Sequence, residues 1–111
     1  MKGKAMAKKA KKPLKKVTVR SASSVGHSYV VGRAYLIRSV THYYVGRLVA
    51  VTATDFVLAD ASWVADTGRF HDCLRTGSLN EVEPFILPVI VSRAGVIDAT
   101  EWTHHLPREQ K

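Results

Sequence analysis

The sequence predicts a mainly β protein: a small, strongly bent barrel of five or six strands, decorated by one short helix and preceded by a disordered basic arm. Three observations lead there. Strand-forming Val, Ile, Tyr, Phe and Thr fill short runs from Tyr29 to Trp102. Brief polar turns separate those runs. Gly46 stands inside one of them, where glycine weakens a strand but lets a small sheet bend sharply enough to close.

The elements follow in chain order. Residues 1–26 form the arm and a small polar linker, "RSASSVG". "SYVVG" is a short strand candidate, and "AYLIRSVTHYY" continues in strand-forming residues as far as Gly46 and "RLVAVT". The spacing Thr52 to Asp55 suits a tight hairpin. "DFVLADA" then alternates, with Phe56 and Leu58 on one face and Val57 and Ala59 on the other. In "ADTGRFHDCLRTG" the period changes. Phe70, Cys73 and Leu74 stand at i, i+3 and i+4, one apolar stripe on a short helix that Asp66 or Thr67 caps and Gly77 closes. "SLNEVEP" reads as a loop, "PVIVSR" as a strand, "AG" as a turn and "VIDATEW" as a last strand. The barrel domain is placed at residues 27–103 and a polar tail at 104–111.

With 111 residues there is room for one core. The net charge of +8 is unevenly divided. Lys2, Lys4, Lys8, Lys9, Lys11, Lys12, Lys15, Lys16 and Arg20 give the first 20 residues a charge of +9 with no acid. The remainder carries eight basic and nine acidic side chains, a charge of −1. Like charges at that density repel, and the arm holds too few apolar residues to offset the entropy of ordering. The single cysteine, Cys73, rules out an internal disulfide and fits a reducing compartment. No apolar run reaches the length of a membrane span, and no apolar region follows the basic start as in a secretory signal. The expected location is a virion or a host cytoplasm, without membrane contact.

Gly46-Arg47-Leu48, Asp55-Phe56-Val57-Leu58 and Arg93-Ala94-Gly95-Val96-Ile97, within residues 34–102, resemble the motifs of the Sm-like family among the SH3-like small barrels. The resemblance implies a bent second strand, a tight turn into a third, and a closing hairpin. Three departures bear on function. Asp55 stands where the family has an RNA-binding asparagine, and its carboxylate repels phosphate. Thr52 replaces an aspartate, and Ala94 a glycine. The combination of cationic arm and compact barrel also looks like small tailed-phage virion proteins.

Candidate chemistry is sparse. His27, His42, His71, His104 and His105 match no metal-ligand frame, even with Cys73 beside His71. Cys73, on the helix's apolar stripe, reads as a buried inert thiol. Glu81 and Glu83 read as solvated charges, and Asp66 and Asp72 as charges at the helix start. No phosphate-loop or nucleophile signature occurs. The expectation is therefore a protein without catalytic site, cofactor or metal.

The arm is the strong signal, and it has three readings: phosphate neutralisation on nucleic acid, ordering along an acidic neighbouring subunit, or a solubilising tail. Tyr43, Tyr44, Arg47, Trp63, Arg93 and Trp102 are the expected interface residues, since exposed aromatics and arginine suit protein contacts. The leading expectation is a structural or cement subunit of a tailed-phage particle, oligomeric, with its arm on neighbouring subunits. The alternative is a nucleic-acid-binding barrel whose arm grips phosphate.

Overall fold

The computed structural model describes residues 26–111. The lysine-rich arm, Lys2 to Arg20, lies outside the described residues. Six strands follow: β1 Ala34–Ser39, β2 Tyr43–Val51, β3 Asp55–Asp66, β4 Glu81–Pro84, β5 Val89–Ser92 and β6 Val96–Glu101. One helix, α1 Phe70–Thr76, lies between β3 and β4, and a 3-10 turn, Arg93–Gly95, joins β5 to β6. All pairings are antiparallel, in the order β4-β3-β2-β1-β6, with β5 also on β3.

The bend resides in β3. Its first part, Asp55 to Leu58, pairs with β5, and its second, Ser62 to Asp66, pairs with β4. Between them Asp60 adopts φ 50°, the left-handed region an aspartate tolerates better than most residues. Opposite, the β2–β3 register passes from Arg47↔Ala59 to Val45↔Ser62, so β3 carries one extra residue facing Gly46. A Cβ on Gly46 would stand 2.8 Å from Ala61 Cβ and 3.0 Å from Ala61 Cα. Only a glycine lets the two strands fold that closely together. Strands β6, β1, β2, β3 and β5 thus curl around one core, and the 3-10 turn carries the chain across the gap between β5 and β6.

Two cores result, one on each face of the sheet. Tyr35, Ile37, Leu48, Phe56, Leu58, Ala61 and Val91 fill the barrel, joined by Tyr29. Leu36, Val45, Val64, Cys73, Leu79, Val82 and Trp102 form the second, beneath α1 and the C-terminal segment. The alternation of strand side chains explains the split: Leu36 and Ile37, neighbours in sequence, belong to different cores.

Several sequence expectations need correction. Residues 104–111, placed outside the barrel domain as a polar tail, pack on it. Lys111 and Val82 exchange backbone hydrogen bonds at 3.0 Å, Ser62 Oγ donates to the Pro107 carbonyl at 3.2 Å, and Leu106 packs on the second core. "SLNEVEP" contains β4, because Val82 has an apolar site to fill between two solvated glutamates. "SYVVG" makes no strand; it turns at Val31–Gly32 and is held by Tyr35 Oη, which accepts from the Val30 amide at 2.9 Å. At α1 the N-cap position is Arg69, without a side-chain cap. Asp66 instead accepts from the Gly68 amide at 2.8 Å and shapes the turn before the helix. Gly77 closes the helix at φ 80°, as expected.

Candidate functional site

The expected interface residues separate by face. Tyr44 and Trp63 are register partners on β2 and β3. Phe85 stacks on Tyr44 with ring centroids 6.2 Å apart, and His42 lies 5.9 Å from Trp63. These four rings make a continuous strip, in which Tyr44 and Phe85 are half-buried against the barrel core and Trp63 is 38% exposed. Tyr43 points to the opposite face, against the second core, with the Arg38 guanidinium 5.9 Å from its ring. Trp102 is buried, 3% exposed, which removes it from any surface. Its indole N–H donates to the His105 carbonyl at 3.2 Å and so anchors the C-terminal segment.

The two arginines are engaged. Arg47 pairs with Asp60 at 2.7 Å across the β3 bulge and holds its carboxyl below the usual range. Arg93 lies over the rings of Phe56 and Tyr29, at 5.5 and 5.9 Å, and donates to the Thr52 carbonyl. It closes the open end of the barrel and ties the 3-10 turn to the β2–β3 hairpin. In that hairpin Thr52 Oγ1 accepts from the amides of Thr54 and Asp55 at 3.2 and 2.9 Å. The Asp55 carboxylate accepts from the Thr54 hydroxyl at 3.1 Å.

Among the described residues, no group of three His, Cys, Asp or Glu side chains converges on a point that could hold a metal ion. Cys73 is 1% exposed, and burial raises its thiol pKa. His104 Nε2 lies 2.7 Å from the Leu74 carbonyl at the end of α1, so that nitrogen carries the proton. A recess of about 520 Å³ lies beside it, lined by Thr76, Gly77, Thr103, His104 and His105. No group in that lining pairs a nucleophile with a free base.

One group of exposed apolar side chains was not anticipated. In the β4–β5 connection Ile86 is 96% and Leu87 74% exposed, and Ile90 on β5 is 68% exposed. The signal was present in "PFILPVIVS", residues 84–92, the longest run without Lys, Arg, Asp or Glu among the described residues. It passes for core strand because only alternate residues of it, Val89 and Val91, face inward. No helix among the described residues is long and apolar enough to cross a membrane. No family model, no curated protein and no solved structure matches the chain.

Proposed function

We propose that the protein is a non-catalytic subunit of a larger assembly, held to its neighbours by the apolar face at Ile86, Leu87 and Ile90 and by the basic arm. The exposed apolar segment carries this reading: three large aliphatic side chains within five residues lie in water, and exposed apolar groups of that kind suit a contact surface. The aromatic strip of Tyr44, Trp63 and Phe85 borders the same segment through Phe85 and supplies side chains that interfaces favour. The tailed-phage particle suggested by the arm-and-barrel composition is the assembly we assign.

The test is sedimentation of particles from producing cells. The full chain is expected in the particle fraction, and deletion of residues 1–16, which removes eight of the nine arm charges, is expected to leave it as free, folded subunit. A full chain that remains free at the top of the gradient overturns the proposal.

The nine cations of the arm favour a second reading, phosphate binding. On that reading the full chain binds DNA or RNA with an affinity that falls steeply with salt, and the same deletion abolishes binding. Asp55, at the hairpin tip, argues against binding by the barrel itself; strong binding by the arm-less chain defeats the assembly reading.

A further inference from the structure

We propose that two copies of this chain pair edge to edge along β5, antiparallel about a two-fold axis, with Ile86, Leu87 and Ile90 of each copy covering those of the other. The proposal rests on the assembly reading and names one partner within it, a second copy.

The edge is open. β5 bonds to β3 on one side only. Among the described residues, Ile86–Ser92 makes no backbone hydrogen bond outside that ladder. Edge strands in isolated domains are ordinarily guarded by a charge, a bulge or a covering segment. Among the described residues this one has neither charge nor bulge: residues 84–92 are charge-free, and the β3–β5 register runs without a shift from Asp55↔Ser92 to Leu58↔Val89; its guards are its four-residue length and Pro88. Val89 and Val91 face the barrel core, so Ile90 projects outward beside Val57. Free backbone groups and exposed aliphatic side chains therefore belong to one short segment, residues 86–92.

The chemistry of that segment selects its occupant. The basic arm is unsuited, since its ammonium groups would lose water against isoleucine and leucine without gaining a carboxylate. The C-terminal segment is already engaged at β4, through Lys111 and Val82. A second copy fits. Across a two-fold axis, residues near the axis meet their own kind, so a charged edge would set like charges face to face. A charge-free edge avoids that repulsion. Pro88, with no N–H to give, marks one end of the seam, and Arg93, turned back over Phe56 and Tyr29, marks the other. Only four residues remain to pair, so the aliphatic contacts supply most of the association.

Sedimentation equilibrium of the purified full chain in about 0.5 M NaCl tests this, because salt at that level screens contacts of the arm and leaves apolar association intact. The expected result is a concentration-dependent dimer whose Val89–Ser92 amides exchange more slowly as dimer accumulates. Ile90→Lys is expected to weaken it at least tenfold. So is the double variant Ile86→Ser, Leu87→Ser, which alters only exposed loop positions and keeps the test valid should the strand variant fold poorly. A chain that stays monomeric at every concentration, or a dimer that the double variant leaves unchanged, overturns the proposal. A monomeric chain that still enters the particle defeats the β5 seam alone. A β5 dimer found in no particle defeats the assembly reading alone.

Discussion

At Gly46 the absence of a single Cβ decides the shape of the sheet. The nearest obstacles are Ala61 Cβ and Cα, on a strand fixed by pairing on both sides, so a new methyl group has no flexible side chain to push aside. Gly46→Val should cost more than the roughly 1 kcal/mol of strand propensity and reach the overpacking range of about 1–3 kcal/mol. Urea denaturation measures this, and an unchanged midpoint would mean that the two strands are free to separate there. Charge acts at the surface. Arg38 donates to Asp98 at 2.7 Å and holds that carboxyl below the usual range. A folded-state pKa below the unfolded value gives stability that is present above the unfolded pKa and lost as pH falls through the folded one. The wild type should therefore lose its advantage over Asp98→Asn as pH drops below about 4. The effect is small because half of the Asp98 side chain is exposed. A pH-independent difference between the two melting curves would show that the pair is screened out.

At the scale of elements, the second core depends on a segment with little apolar character. Residues 103–111 contain one leucine, and that leucine covers the second core while Trp102 fixes the start of the segment. Leu106→Ala should destabilise the domain by about 1–2 kcal/mol, less than a full core truncation because the side chain is only partly buried. The helix end reports on the same contact. Gly77 holds φ 80°, and a Cβ there would stand 2.6 Å from His104 Cβ, so Gly77→Ala should both strain the backbone and expel His104 from the Leu74 carbonyl. Amide exchange in α1 should then rise to the rate set by local opening, and unchanged protection of Leu74 and Arg75 would refute the coupling. These elements also mark the limits of the sequence. Alternation exposed β3, the i, i+3, i+4 spacing exposed α1, although of that stripe Cys73 alone is buried and Phe70 stays at the surface under Arg38, and Gly46 exposed the bend, because each depends on neighbours close in the chain. β4 and the C-terminal segment depend on each other across roughly 30 residues, and Lys111 pairs with Val82 by backbone alone, which leaves no pattern to read. The apolar face was missed for a related reason: Ile86, Leu87 and Ile90 are the same residue types that fill a core, and only topology says which side of β5 is open.

For the molecule as a whole, the question is whether the arm and the domain attract each other. The domain supplies nine acidic groups, four of which are in ion pairs with its own arginines: Asp60 with Arg47, Asp98 with Arg38, Glu101 with Arg33 and Asp72 with Arg75. Residues 21–111 sum to −1, so the domain presents no large negative field to a segment of charge +9. Among the described residues, both cores draw on residues from Tyr29 to Leu106. The arm should therefore add nothing to the stability of the isolated subunit, and its charge should remain available to a partner. Full-length protein and the chain lacking residues 1–16 should melt within about 0.5 kcal/mol of each other, from low salt to about 0.15 M NaCl. Calorimetry on the two proteins, run below the concentration at which they associate, makes the comparison. A truncated chain that melts lower only in low salt would place the arm on the domain's own carboxylates. The arm would then have to be released before it could grip either a neighbouring subunit or a phosphate backbone, and both functional readings would acquire an autoinhibitory step that the charge balance argues against.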